Sequence, residues 1–471
     1  MKEVILDQNE GKGISFLTTF TSEEHSALLK SAEDLFRYFH SFAKSRNQIR
    51  VGVEVEILGV EKSSGKALPY EGDPGIHQVL AEMAKRFAYE PVLEAEHIIA
   101  LKRRDTLISL EPGGQVELSA PPVSNVFEVQ EQVENFLSEL RQIRKVFPKI
   151  EWLAYGIQPF SSLAQIPWVP KERYAIMASY FKTHGMLSHE MMKMTATNQI
   201  NFDYLSEANA MANLRAVLCL TSIVTALFAN SPFSEGRPNG FLSRRLHIWN
   251  HTDPDRTGLL TAFTQPGRTF KDYLEYILQM PLMFVVRHGK WIPVYGKNFR
   301  EFIREGFEGT RATLGDFELH LSTAFPEARI KQYLEVRGID GQSPELIPAV
   351  AAFWKGLLYD ADTREKAWKL VADASEDDRL RLHCDVPRIG LRAKLGSTPI
   401  FPIAEELVEL SCQSLAKQKT KEESRSECLF LEKIRHKILT PQKSPAEALL
   451  EKWAGEFKES PARLIEYLSI G

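Results

Sequence analysis

At 471 residues, 44% hydrophobic and 25% charged, the chain has ordinary globular composition and the length for one large domain or two to three smaller ones. Its formal net charge of -4, from 58 basic and 62 acidic residues, supplies no basic surplus to attract nucleic acid or an anionic membrane, and neither is expected as a partner. Cys219, Cys384, Cys412 and Cys428 form no Cys-x-x-Cys pair and accompany no zinc-spaced histidines, which predicts reduced, mostly buried thiols. The residues Met1 to Ile5, followed soon by Glu10, show neither a signal-peptide apolar core nor Arg/Ser-rich transit character, so a cytoplasmic location is the expectation.

In chain order, Thr21-x-x-Glu24 fits a capping box, and Leu28, Leu29, Leu35, Phe36, Phe39 and Phe42 follow at roughly helical spacing, predicting a first helix that ends near Ser45. Ile49 to Leu58 reads as a strand rich in Val and Ile, whose period of two puts Glu54 and Glu56 on one face. A Gly/Pro/Ser-rich loop from Ser63 to Gly75 leads to a helix over Ile76 to Phe87. Thr106 to Leu110 and Gln115 to Ser119 form a hairpin through Pro112-Gly113-Gly114, with Glu111 and Glu117 at either side of the turn. Val129 to Phe147 is amphipathic and helical, with Val133, Phe136, Leu137, Leu140 and Ile143 on one face.

Ala196 to Tyr204 is strand-like, and Ala216 to Asn230, uncharged but short of the ~20 residues that span a bilayer, reads as a buried helix. Ser231 to Gly240 is a long loop of the kind that carries function. Beyond about residue 360 the pattern turns helical and charge-rich, with a solvated run from Lys417 to Glu427. The organisation expected is a catalytic core over residues 1–360 and a helical portion over 361–471 packed on it, in an α+β fold with a mainly antiparallel sheet.

Three acidic clusters stand out: Glu54/Glu56, Glu111/Glu117, and Glu335 beside Arg337 in Tyr333-Leu334-Glu335-Val336-Arg337-Gly338. Two carboxylates on one strand face repel each other and call for a cation, and Mg²⁺, which prefers carboxylate oxygen and keeps nucleotide phosphates in its shell, is one that fits. Taken alone, Glu54/Glu56 reads better as an exposed strand face, Glu111/Glu117 equally well as a plain surface hairpin, and Glu335/Arg337 as an intrastrand ion pair that spacing does not separate from a site. Walker A, Gly-x-Ser-x-Gly and His-Glu-x-x-His sequences do not occur, which removes the P-loop, serine-hydrolase and zincin readings.

The segments Gly52-Val53-Glu54-Val55-Glu56, Glu111-Pro112-Gly113-Gly114-Gln115-Val116-Glu117-Leu118-Ser119, Ala229-Asn230-Ser231-Pro232-Phe233, Pro238-Asn239-Gly240-Phe241-Leu242-Ser243, His247-Ile248-Trp249, Asp255-Arg256-Thr257-Gly258 and Tyr333 to Gly338 occur in one order. Together with Phe353-Trp354-Lys355-Gly356-Leu357-Leu358-Tyr359-Asp360 they resemble glutamate–cysteine ligase of the plant and proteobacterial type, over the chain to about residue 360. The resemblance implies a glutamine-synthetase-like core and ATP-dependent joining of the glutamate γ-carboxylate to the cysteine amine through γ-glutamyl phosphate. L-glutamate, L-cysteine and ATP would be the small-molecule partners and Mg²⁺ the cofactor.

Carried over by motif, Glu54, Glu56, Glu111, Glu117, Gln199 and Glu335 look like Mg²⁺ ligands, and Arg337 like the arginine that steadies the transferring phosphoryl group. Arg245 resembles the residue that binds the α-carboxylate of glutamate, although its neighbour Arg244, apolar in the plant pattern, leaves open which of the two points inward. Arg256 and Asn201 are further candidates for substrate or nucleotide contact. The regulatory cysteines of plant enzymes fall near Gln130, Val294 and Pro348, so their redox switch is not carried over, and past residue 400 the resemblance fades. A γ-glutamyl ligase for another amine and a non-catalytic scaffold on the same fold are the rivals.

Overall fold

The centre of the molecule, a computed structural model describing residues 27–419 and 425–471, is β1 (Val51–Glu61), a strand buried along nearly its whole length. Val51, Val53, Val55 and Ile57 are each at most 1% exposed and pack against α2 (Val126–Val146) and the helix Ile347–Leu358, worth roughly 1.5–3 kcal/mol per side chain. The opposite face carries Gly52, Glu54 and Glu56. Burying carboxylates in mid-strand is costly, so this face must open onto something that compensates them.

β1 lies in a nine-stranded sheet in which every pairing is antiparallel. On one side it pairs with β5 (Val116–Ser119), followed outward by β4 (Thr106–Leu110), β3 (His97–Arg103) and β2 (Glu90–Glu94). On the other it pairs with β7 (Asn198–Phe202), followed by the hairpin Leu334–Val336/Ala328–Ile330, while its C-terminal end meets β6 (Ile150–Leu153). The α+β expectation and its antiparallel sheet hold.

The expected hairpin is present, and its turn has a steric reason. A Cβ on Gly113 would come within 2.1 Å of the Lys193 carbonyl oxygen, and Gly114 sits at φ +86°. The helix α1 (Ile76–Phe87) has the expected bounds. The buried helix is longer than foreseen: α5 (Glu207–Leu227) has 21 residues, long and apolar enough to cross a membrane, yet it is packed within the core. Its Ser206 cap and polar first turn made the start unreadable from hydropathy.

Two expectations are corrected. Thr21-x-x-Glu24 lies outside the described residues, and in place of a first helix running to Ser45 there are two short 3-10 turns, Ala32–Leu35 and Phe39–Phe42. Their aromatic rings decide this: Tyr38 and Phe39 pack edge-on to Phe317, and Phe39 also meets Tyr273, contacts from distant chain that override helical spacing. The cysteines are not all reduced. Cys412 and Cys428, 16 apart in sequence, form a disulfide with Cα atoms 4.7 Å apart, while Cys219 and Cys384 are free. The partners meet because the helix Ile400–Gln418 folds back against the turn Glu427–Phe430, which spacing along the chain does not reveal.

One hydrophobic cluster runs from β1 through α5 to Leu464 and Ile465 of the last helix, crossing residue 360 without a break.

Candidate active site

The register of the sheet builds the site. Glu56 faces Glu117 on β5, Glu54 faces Ser119 on β5 and Gln199 on β7, and Asn201 on β7 lies between Gly52 and Glu335. Directly paired residues share a face, so the acidic groups of three strands, with the amides of β7 among them, form one continuous patch. Glu111, at the end of β4, joins them in a cavity that Glu54, Glu56, Glu117 and Gln199 also line.

The carboxylates on this wall are short of positive charge. Burial, and next the nearby Glu111, pushes the Glu56 carboxyl up; Glu117 is raised well above its ordinary value by burial and by Glu111, Glu54 and Glu56. Their hydrogen bonds are few. Glu56 accepts from the Thr197 N–H at 3.0 Å, Glu54 from the Asn201 amide at 2.9 Å, and Glu117 from the hydroxyls of Ser109 and Ser119, both at 3.2 Å.

Beside them is a basic wall. Arg329, Lys331 and Arg337 line the cavity from the hairpin Ala328–Val336 and its exit, Arg245 from α6 (Arg244–Trp249), and Arg173 from α3 (Glu172–Tyr180). Glu335, 0% exposed, stands behind three of these cations. Arg329 forks onto it, Lys331 approaches to 3.1 Å and Arg337 to 2.9 Å; although burial works the other way, these cations hold its carboxyl well below the usual range. Glu335 is set apart from the other expected metal ligands: it is not among the cavity-lining residues, and its oxygens accept from the cations of the basic wall.

Arg337 reaches the cavity, donating to Gln199 Oε1 as well as Glu335. Arg245 is the inward member of its pair. It is 3% exposed, lines the cavity and donates to the Arg337 carbonyl at 3.1 Å, whereas Arg244 stacks on Phe241 and faces Glu190. Asn201 sits behind Glu54 as its hydrogen-bond donor. Arg256 is not brought to the cavity at all: fully buried, it is bound to Asp253, Thr323 and the Pro281 carbonyl.

Sequence reasoning gave no site role to Arg173, Tyr174, Trp249, Arg329, Lys331 and Tyr333, all cavity-lining. A signal for three of them existed. Arg329, Lys331, Tyr333, Glu335 and Arg337 alternate strictly, the period-two pattern of one strand face continued through a tight hairpin. Arg173 and Tyr174 carried none, because α3 is brought beside β4 only by tertiary packing, where Lys171 Nζ and Tyr174 OH each donate to the Leu110 carbonyl at 2.7 Å.

Among the described residues no three His, Cys, Asp or Glu side chains converge into a closed cage. The donor set nevertheless fits a hard divalent ion. It is all oxygen, doubly like-charged and short of cations, and Mg²⁺ completes its shell with water and substrate phosphate rather than a full protein cage.

An antiparallel sheet flanked by helices thus presents carboxylates, arginines and a lysine to one cavity. The same fold is seen in the crystal structure of glutamate–cysteine ligase from Francisella tularensis in complex with AMP, with TM-score 0.52 and 13% identity, covering 89% of this chain and 88% of that one. Glutamate-cysteine ligase family 2 matches residues 50–465, so the likeness continues well past residue 400, and the chain belongs to that family. The chloroplastic glutamate–cysteine ligase of Brassica juncea is 39% identical over 431 residues, 91% of this chain and 82% of the relative. That of Arabidopsis thaliana is 38% identical over 439 residues, 93% and 82%. The chain is a glutamate–cysteine ligase, forming γ-glutamylcysteine in the first step of glutathione biosynthesis. The relatives' chloroplastic location overturns the cytoplasmic expectation drawn from the N-terminal residues.

Proposed function

We propose that the two walls divide the chemistry, the acidic wall receiving Mg-ATP and the basic wall receiving glutamate and the transferring phosphoryl group. The observation that carries this is one cavity lined both by Glu54, Glu56, Glu111 and Glu117 and by Arg245, Arg329, Lys331 and Arg337. Glu54, Glu56, Glu111 and Glu117, with Gln199 beside them, would hold Mg²⁺, which would offset the negative charge of the phosphates.

Arg245 holds the α-carboxylate of glutamate and so directs its γ-carboxylate toward the nucleotide. A γ-carboxylate oxygen takes the terminal phosphoryl group of ATP, releasing ADP. The free amine of cysteine then attacks the γ-carbonyl carbon, the amide bond forms, and inorganic phosphate leaves with the electron pair of the acyl C–O bond while the amine gives up a proton. Arg337, permanently charged and aimed by Glu335 and Gln199, stabilises the negative charge on the moving phosphoryl group. Activation is needed because a bare carboxylate is a poor acyl donor. For location, the chloroplastic relatives favour a plastid.

Purified protein incubated with Mg-ATP and glutamate, with the amine varied, tests this by ADP release and product mass. ADP release that needs glutamate and is fastest with cysteine, with γ-glutamylcysteine as product, is the expected result. Equal rates with unrelated amines would remove the cysteine preference, and ADP release independent of glutamate would remove the acyl-phosphate route.

A further inference from the structure

The loop Ser231 to Gly240 and the serine before α6 carry sequence motifs that the chemistry above leaves unused. Both end on Asp340, just past the basic hairpin. Asp340 is 0% exposed and forms no salt bridge among the described residues, although the charge of Arg245 acts on its carboxyl. It accepts instead from the Asn230 N–H at 2.7 Å and the Ser231 hydroxyl at 2.7 Å through Oδ2, and from the Ser243 hydroxyl at 2.8 Å through Oδ1.

Each serine has one proton, and each spends it on Asp340. Their oxygens are thereby left as acceptors, and both accept from the first turn of α6: Ser231 Oγ from the Arg245 N–H and Ser243 Oγ from the Leu246 N–H, each at 3.1 Å. The chain of bonds thus runs from the carboxylate to the backbone of Arg245, the one cavity arginine contributed by α6. Close packing holds the carboxylate in place, since a Cβ on Gly156 would come within 2.6 Å of Asp340 Cβ. Only a carboxylate accepts on every side, so an amide at this position must turn a donor toward one hydroxyl.

We propose that Asp340, acting through Ser231 and Ser243, is a positioning residue that sets the angle at which α6 presents Arg245 to the α-carboxylate of glutamate, and so governs affinity for the acyl-donor substrate rather than for ATP. This rests on the reading of Arg245 given under Proposed function. A burial that served stability alone would show no preference between substrates.

The test is steady-state kinetics of the full chain with glutamate, cysteine and ATP varied in turn, for Asp340→Asn, Ser231→Ala, Arg245→Met and the two double variants. The expected result is a KM for glutamate raised about tenfold in Asp340→Asn and Ser231→Ala, with kcat and the KM for ATP within about twofold. In the Arg245→Met background neither substitution adds a further rise. Equal changes in both KM values, or a glutamate effect that persists without Arg245, overturn the positioning role while leaving Arg245 in place. An Arg245→Met variant whose KM for glutamate is unchanged overturns the reading of Arg245 and the proposal with it. Should Asp340→Asn fail to fold, Ser231→Ala, which removes a single hydroxyl, carries the same comparison.

Discussion

The two walls of the cavity are built by opposite electrostatic strategies. On β1 and β5 like charges are gathered and left under-compensated, with Glu56 and Glu117 pushed up by burial and by one another. On the hairpin Ala328–Val336 unlike charges are interlocked, with Glu335 surrounded by Arg329, Lys331 and Arg337. The first wall is incomplete without an incoming cation. The second is complete by itself, and it keeps three cations rigid at the cavity edge, so charge stabilisation there needs little reorganisation when substrate arrives.

Breaking the acidic wall should have the largest effect. Glu54→Gln is expected to lower kcat by about a thousandfold, roughly 4 kcal/mol, while the protein stays folded by circular dichroism. Turnover near the parent level would take Glu54 out of the metal site. Arg256 gives the control for the comparison, since it is a buried arginine that belongs to neither wall. Removing it strands Asp253, so Arg256→Met should cost about 3 kcal/mol or more in urea denaturation, with the KM values of whatever folds left near the parent's. A selective rise in one substrate's KM would restore it to the binding site.

On the basic wall, Arg337→Lys keeps the charge and loses the fork that reaches Gln199 and Glu335 together. A fall in kcat of about tenfold to a hundredfold is expected, with the KM for ATP little altered. An unaltered kcat would mean that charge alone suffices there.

A last effect, absent at neutral pH, lies outside both walls. Burial lowers His320 from 6.5 to about 3, and its ring is wedged against Phe299 with Nε2 on the Ile277 carbonyl. The unfolded chain binds a proton there that the folded one refuses. Stability is therefore full above pH 6.5 and falls as pH drops toward 3, by at most about 1.4 kcal/mol per pH unit from this group. Denaturant titrations across that window measure the slope, and His320→Gln should remove about one proton's worth of it. An unchanged slope would show that other groups carry the acid sensitivity.

Much of the acidic wall was legible in the sequence. Glu54 and Glu56 announced their shared face by period two, and Pro112-Gly113-Gly114 announced the hairpin that carries Glu117, which β5 then pairs opposite Glu56. The basic wall was half legible. Arg337 and Arg245 came from motif resemblance, but Arg329 and Lys331 were hidden in an alternation that reads equally as a solvated edge, and Arg173 had no local signal. Arg256 misled for the complementary reason: a motif position says that a residue matters, and only its buried partners say that it matters to packing.

By itself, the sequence determined the strand and helix periods, the turn chemistry, the family and hence the reaction, because these depend on residues near one another or on a pattern spread along the whole chain. Tertiary structure alone decided which carboxylate faces the cavity and which is consumed by cations, which of Arg244 and Arg245 turns inward, that Cys412 meets Cys428, and that Asp340 stands beneath α6. Each of these is a contact between segments far apart in the chain. Burial and charge there depend on what arrives from elsewhere, and no local pattern records it.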